Sequence, residues 1–139
     1  IDDQFQNLII IKNNAFNNLI KKIFKDYNHK DFSINYILTN DKKLNSLKNS
    51  FFNENVLTDV IAFNLEEPGQ SIEGEIYISL DRVKENASLY KQNFKIEFCR
   101  VIIHGTLHLL GFNDKTKDEK QNMTDLENRY IEYITSILK

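Results

Sequence analysis

His104–Asp114 reads HGTLHLLGFND and places two of the chain's three histidines four residues apart. On a helix, residues i and i+4 project from the same face one turn apart, so both imidazoles can reach one metal ion. Gly111 is typical of the residue that ends a helix, and the turn it makes allows Asp114 to fold back as a third ligand. The stretch therefore predicts a metal site formed by His104, His108 and Asp114.

The number of ligands indicates what the metal does. Three protein ligands leave one position of a tetrahedral zinc ion open, which is typical of catalytic rather than structural sites. Water bound there has its pKa lowered to roughly 7 and supplies hydroxide at neutral pH. We therefore expect one Zn²⁺ ion used for hydrolysis. Because a carboxylate is a harder ligand than imidazole, manganese or another divalent ion is a second possibility.

The spacing of these ligands is also similar to that of zinc proteases, in which a glutamate follows the first histidine as general base. Gly105 occupies that position here and has no side chain to accept a proton. The glycine argues against proteolysis. A metallopeptidase lacking the usual glutamate is kept as an alternative function.

The hydrophobic pattern on either side of this motif predicts an α+β fold. Phe94–Leu110 is apolar on most sides, as expected of a central helix. Further helices are predicted over residues 13–27, from Asn40 or Asp41 to about Asn49, over Asp81–Tyr90, and after a capping box at Thr116–Glu119.

Strands are predicted at Phe5–Ile11, Asp31–Leu38, Val60–Phe63 and Ile76–Ile78, the last two paired. We expect one domain over residues 1–139, with a small mixed β-sheet packed with helices. The longest helix is then a zincin-like metal helix that carries both histidines.

Composition restricts the class of partner. The net charge of −2 and a pI of about 5.9 give no overall basic surface, so any RNA-binding surface is local. Cys99 lies in an apolar run and is expected to be a buried thiol. No apolar run reaches the roughly 20 residues that span a membrane, and no signal peptide is evident. These features indicate a cytoplasmic protein with no membrane partner.

His104–Gly111 resembles the motif H-G-x-L-H-L-x-G-Y-D-H of the YbeY family of bacterial metal-dependent endoribonucleases, with Phe112 at the tyrosine. The family's P-T-D-V-L-S-F block appears as Leu57–Phe63 and its G-D-I block as Gly74–Ile76. The three blocks occur in the family's order across roughly residues 45–130. The resemblance implies a single-strand-specific endoribonuclease that matures ribosomal RNA and takes part in ribosome quality control, with the ribosome or its small subunit as partner.

Two positions depart from the family pattern. Asp114 stands at the third histidine, where a carboxylate oxygen can still bind zinc at about 2.0–2.2 Å. Phe51-Phe52 stands at the family's Tyr-Arg pair, so an arginine that could bind phosphate is missing. Phe52 can stack on an unpaired base, although a core phenylalanine is the favoured interpretation. The missing arginine keeps open a third function, that of a non-catalytic, metal-stabilised ribosome-assembly factor.

Two carboxylates are candidate catalytic residues. Asp59 begins the strand of the T-D block, and Glu75 lies in the block Gly74-Glu75-Ile76. If these strands border the metal helix, either carboxylate could orient or deprotonate the metal-bound water, or hydrogen-bond a ligating histidine. Alternatively, Asp59 hydrogen-bonds a loop and Glu75 faces solvent.

Overall fold

A computed structural model describes residues 16–53 and 58–138 of the chain. Five helices and three strands occur in this part, and the predicted strand Phe5–Ile11 lies outside it. In chain order they are α1 (residues 16–26), β1 (Phe32–Thr39), α2 (Asp41–Phe52), β2 (Val60–Asn64), β3 (Ile72–Ser79), α3 (Leu80–Leu89), α4 (Phe94–Leu109) and α5 (Lys117–Leu138).

The sheet is small and mixed, with strand order β1-β3-β2. β1 runs parallel to β3, with Phe32 opposite Ile72, whereas β2 pairs antiparallel to β3, with Val60 opposite Ile78. The predicted α+β class and the predicted pairing of the two short strands are confirmed. Parallel β1 and β3 require a long connection between them, and α2 and β2 form part of it.

α4 lies between the sheet and the other helices. It is apolar on nearly every side, and ten of its residues are buried. Phe98, Val101 and Ile102 pack in the cluster that includes the sheet, while Ile103 and Leu107 pack with α1 and α5. Cys99 is 2% exposed, so the expected buried thiol is confirmed. The metal helix is therefore also the centre of the core.

Two glycines bring α4 unusually close to the sheet. A Cβ atom added at Gly105 would lie 2.9 Å from the Cγ2 atoms of both Ile76 and Val60. A Cβ added at Gly74 would lie 2.9 Å from both Cδ atoms of Leu109. Real Cβ contacts this short do not occur without movement, so both positions need a residue without a side chain.

Local side-chain caps set the helix boundaries. The Asn40 side chain accepts a hydrogen bond from Lys43 N at 2.9 Å, which confirms the predicted cap of α2. Thr116 and Glu119 each accept a backbone hydrogen bond from the other, which confirms the capping box before α5. α2 continues beyond the predicted end near Asn49 to Phe52, because the chain first turns into the left-handed conformation at Asn53.

The start of α3 was also predicted one residue late. The Ser79 side chain accepts from Arg82 N and caps the helix, so Leu80 rather than Asp81 is its first residue. Across residues 16–53 and 58–138, none of the helices combines the length and the apolar character needed to cross a membrane.

Gly105→Ala is expected to lower the free energy of unfolding by about 1 kcal/mol. An alanine raises helix propensity by about 1 kcal/mol, but overpacking against two stiff β-branched side chains costs about 1–3 kcal/mol. Urea unfolding of the natural chain and the variant measures the difference. Asn122→Ala, on the exposed side of α5, is the control and should change stability by less than about 0.5 kcal/mol. Equal or greater stability of Gly105→Ala would contradict the close packing.

Candidate metal centre

The two histidines of α4 point their ring nitrogens at each other. His104 and His108 lie one turn apart, their ring centroids are 4.6 Å apart, and their Nε2 atoms are 3.0 Å apart. Their side chains are 25% and 29% exposed, so both are reached by solvent from one side only. The arrangement follows from the i, i+4 spacing on an otherwise buried helix.

Gly111 brings Asp114 back to the histidines. Its φ of +100° lets the chain reverse after Leu110. Phe112 N then donates to Leu107 O at 3.1 Å and Gly111 N to His108 O at 3.0 Å, the pattern of a Schellman motif. The Phe112 ring packs edge-on against Tyr27, which directly follows α1, with ring centroids 5.1 Å apart. This anchored turn holds the loop that carries Asp114 close to α4.

The three predicted ligands come together in a triangle. Asp114 Oδ2 lies 3.3 Å from His104 Nε2 and 3.5 Å from His108 Nε2, and the two Nε2 atoms are 3.0 Å apart. Ligand atoms about 2.0–2.1 Å from a tetrahedral ion lie about 3.3 Å from one another. The three edges fit this value, so the residues present could hold a metal ion.

The charges around this group shift the two imidazole pKa values in opposite directions. Burial alone would lower the pKa of His104, but its hydrogen bond to Glu127 and the negative charges of Glu127, Asp59 and Asp114 outweigh burial and raise it. For His108, burial and the neighbouring His104 charge lower the pKa. In the absence of metal, a proton therefore goes to His104 first.

Glu127 of α5 lies directly behind His104. Its Oε2 atom is 2.6 Å from His104 Nδ1, and its Oε1 atom is 3.3 Å from Arg100 Nη1. Sequence analysis missed this residue. The sequence did contain a signal, because Glu127 is an acidic residue next to Leu126 on the apolar face of α5. In the structure it is only 8% exposed. A charged group is seldom buried in this way without a partner.

Asp59 lies near the triangle, at the start of β2. Its carboxylate accepts from Asn86 Nδ2 at 3.3 Å, and its backbone carbonyl accepts from Ser79 N at 2.9 Å. Burial raises the pKa of Asp59, and the charge of His104 opposes that shift. The charge of His104 thus acts on this predicted catalytic carboxylate, which lies within electrostatic range of the metal ligands.

Glu75 lies elsewhere. Gly74 and Ile76, its neighbours on β3, pack against α4. Because side chains alternate along a strand, Glu75 points to the opposite face of the sheet. There it accepts a hydrogen bond from the Tyr77 hydroxyl at 3.3 Å. Of the two candidate carboxylates, Asp59 therefore interacts electrostatically with one of the ligands, whereas Glu75 lies on the opposite face of the sheet.

Phe52 does not join the core, so the favoured sequence interpretation of this residue is wrong. It is 44% exposed and Phe51 is 67% exposed. Both rings contact Phe63, and Lys48 Nζ lies 4.7 Å from the centre of the Phe52 ring. Both rings at the end of α2 are therefore accessible, and Lys48 supplies a cation next to the position of the family's arginine.

Comparison with known proteins identifies a family. The family model described as Endoribonuclease YbeY matches residues 1–135. Endoribonuclease YbeY of Amoebophilus asiaticus is 39% identical over 112 residues, which cover 81% of this chain and 76% of the relative. The protein of the same name from Parabacteroides distasonis is 38% identical over 121 residues, covering 87% and 84%.

A solved structure shares the fold. The solution structure of a Thermotoga maritima protein superposes with a TM-score of 0.67 and is 28% identical in sequence. The match covers 99% of this chain and 87% of that protein. Together with the family match over nearly the whole length, these similarities show that the chain belongs to the Endoribonuclease YbeY family.

Proposed function

We propose that this chain is a metal-dependent endoribonuclease that hydrolyses phosphodiester bonds of single-stranded RNA, with one zinc ion bound by His104, His108 and Asp114. The triangle of Nε2, Nε2 and Oδ2 atoms, with edges of 3.0, 3.3 and 3.5 Å, is the observation that carries the proposal. Relatives named Endoribonuclease YbeY support the reaction class.

Zinc is proposed over other divalent ions because of the ligand set. Two imidazole nitrogens and one carboxylate oxygen are the donors found in catalytic zinc sites, which keep their fourth position open. His104 and His108 offer neutral nitrogen lone pairs, and Asp114 offers a carboxylate oxygen. A bound zinc ion supplies Lewis-acid activation of water and of a phosphoryl oxygen.

We assign proton transfer to Asp59. Its carboxylate interacts electrostatically with His104, and burial raises its pKa, which makes it a stronger base than an exposed aspartate. One of its oxygens accepts the proton of the attacking water while the water oxygen bonds to phosphorus. The P–O bond to the leaving ribose oxygen breaks, and that oxygen takes up a proton from solvent. Glu75 has no part in this step because it lies on the other face of the sheet. Gly105 packs against Ile76 and offers no base of the kind that zinc proteases use.

Two surfaces support RNA as the substrate. A groove beside Phe32 is lined by three lysines, Lys21, Lys25 and Lys30. It lies at the end of α1 next to the loop that carries Asp114, where Tyr27 packs against Phe112. Lysines in such a groove attract the phosphate backbone. On the other side of the sheet, the exposed rings of Phe51 and Phe52 offer faces for unpaired bases.

In the cell, we propose that the substrate is ribosomal RNA. The enzyme would mature this RNA and contribute to ribosome quality control in the cytoplasm, with the ribosome or its small subunit as partner. These assignments come from the family and extend the reaction class supported by the site. We also propose that residues 1–139 act as one domain.

Protein purified without chelator is expected to contain about one equivalent of zinc, measured by elemental analysis. His108→Ala and Asp114→Ala should each remove most of it, because two ligands do not retain the ion at micromolar protein. His29→Ala is the matched control, since this third histidine contacts Phe24 and lies outside the triangle. It should retain the full equivalent.

The same samples distinguish the alternatives when single-stranded RNA and a peptide are both offered. Zinc-dependent cleavage of RNA alone supports the proposal. Peptide cleavage with intact RNA would assign a metallopeptidase. A zinc-loaded protein that binds ribosomal particles and cleaves neither substrate would assign an assembly factor.

Asp59→Asn is expected to lower kcat for RNA cleavage by about 100-fold while zinc content stays unchanged. The amide keeps the shape and can still accept from Asn86, but it cannot take a proton. Steady-state kinetics on a short single-stranded RNA measure the change. Glu75→Gln is the control and should stay within about twofold of the natural chain. A kcat of Asp59→Asn within twofold of natural would remove Asp59 from the mechanism.

Metal-free protein is expected to lose stability as pH rises above about 6.5. The raised pKa of His104 means that the folded state holds this proton more tightly than the unfolded chain, so its stabilisation is complete below 6.5 and disappears as pH passes the folded pKa. The lowered pKa of His108 changes stability only below pH 6.5, which is outside the pH range in which His104 acts. Urea unfolding in chelator measures the effect, which His104→Gln should abolish. An unchanged pH profile in that variant would contradict it.

A further inference from the structure

Glu127 is the buried charged group closest to the metal ligands that the proposed reaction does not use. We propose that Glu127 is a positioning residue that keeps His104 in the tautomer presenting Nε2 to the metal, and that Arg100 fixes which atom of residue 127 faces the imidazole. The inference rests on the proposed metal site, and it assigns a role to two residues of the chain that are not ligands.

The contacts define a chain of three side chains. His104 Nδ1 lies 2.6 Å from Glu127 Oε2, and Glu127 Oε1 lies 3.3 Å from Arg100 Nη1. The Glu127 side chain is 10% exposed, so water does not compete for either oxygen to a large extent. Arg100 and His104 are both on α4, one turn apart, and α5 inserts the carboxylate between them.

An ionised carboxylate can only accept hydrogen bonds. A neutral imidazole has one N–H group, and the short contact to Glu127 places it on Nδ1. The lone pair is then on Nε2, the atom that lies 3.0 Å from His108 Nε2 and 3.3 Å from Asp114 Oδ2. The carboxylate therefore selects the tautomer whose lone pair points into the triangle.

Arg100 makes this selection sensitive to a single atom. Its guanidinium has only donors, so whatever atom faces it must be an acceptor. Glutamate meets this demand and that of His104 at the same time, because both of its oxygens accept. A glutamine at position 127 cannot meet both. Its one oxygen would face the charged Arg100, and its NH₂ group would face His104 Nδ1.

Glu127→Gln therefore inverts the tautomer without changing the shape of the side chain. Nδ1 has to accept from the amide, so the proton moves to Nε2 and occupies the lone pair needed by the metal. His108 is not affected in this way, because its imidazole has its own hydrogen bond to the backbone of Phe112, in the loop that carries Asp114. The predicted defect is confined to one of the three ligands.

The test compares Glu127→Gln with the natural chain in two measurements. Competition with a zinc chelator should show a zinc dissociation constant 10- to 100-fold higher in the variant, the range typical of residues that orient metal ligands. Nitrogen-15 spectra of the metal-free proteins, at a pH above the His104 pKa, should show the proton on Nδ1 in the natural chain and on Nε2 in Glu127→Gln.

Glu97→Gln is the matched control. Glu97 is also on α4 and 3% exposed, and it interacts electrostatically with Arg100, but its interactions in the described structure do not include His104. Its amide variant removes a buried carboxylate of the same type. Zinc affinity within about threefold of natural and an unchanged His104 tautomer are expected. This control separates loss of buried charge from loss of the hydrogen bond.

A second variant tests the role of Arg100. In the double variant Arg100→Met and Glu127→Gln, the amide no longer has to present its oxygen to a guanidinium, so it can turn and accept from His104 Nδ1. The double variant should bind zinc more tightly than Glu127→Gln alone, whereas Arg100→Met alone should weaken binding only a few-fold. If Arg100 and Glu127 had only independent structural roles, the effects of the two substitutions on the free energy of zinc binding would be additive.

The tautomer measurement decides the proposal even if the metal site fails. A natural chain that binds no zinc would overturn the proposed function, but Nδ1–H in the natural chain and Nε2–H in Glu127→Gln would still support the positioning role. His104 carrying its proton on Nε2 in the natural chain would overturn it, as would a Glu127→Gln variant with natural zinc affinity. The tautomer of His104 in the natural chain is measured without any variant. Misfolding of a variant therefore does not leave the question open.

Discussion

The contact of α4 with the sheet through Gly105 and Gly74 is the constraint on which the rest of the structure depends. Without side chains at these two positions, the helix lies close enough for its whole inner side to be packed against β2 and β3. Its other sides are covered by α1, α3 and α5. The helix that carries the ligands is thus held from several directions, which limits how far the two imidazoles can move.

Burial on this scale forces the buried polar groups of α4 to find partners inside the protein. The Thr106 hydroxyl does so by donating to the Ile102 carbonyl oxygen at 2.8 Å, and the Tyr36 hydroxyl lies 2.8 Å from Thr106 Oγ1. His104 does so through Glu127. The requirements of folding and of the site therefore coincide, because the carboxylate that satisfies a half-buried imidazole also orients it toward Asp114.

Sequence patterns predicted the features that depend on neighbours within a few residues. The spacing of His104 and His108 gave their common face, Gly111 gave the reversal, and the caps at Asn40 and Thr116 gave two helix starts. These features are local because helical periodicity and capping act over three to four residues. Most of the described elements had an end misjudged by one to four residues, and the largest difference is the start of β3, which lies at Ile72 rather than Ile76.

Features that depend on distant elements were not predictable in the same way. Glu127 is 23 residues from His104 in the chain, and only the packing of α5 on α4 brings the two together. Sequence analysis kept both Asp59 and Glu75 as candidate catalytic carboxylates, because the face to which a strand side chain points depends on strand register. The exposure of Phe52 depends on how the end of α2 packs beside Phe63 of β2, which propensity alone did not predict.

The charges around His104 connect these long-range features to metal binding. The carboxylates of Asp59, Asp114 and Glu127 influence this imidazole, and Arg100 is the cation that pairs with one of them. The resulting negative potential stabilises the protonated imidazole and therefore raises the pKa of His104 in spite of burial. A divalent ion at the triangle would satisfy the same potential with twice the charge and would displace that proton. The arrangement that gives His104 a high proton affinity is therefore the arrangement that favours a divalent metal, provided that the proton remaining on the ring is the one on Nδ1.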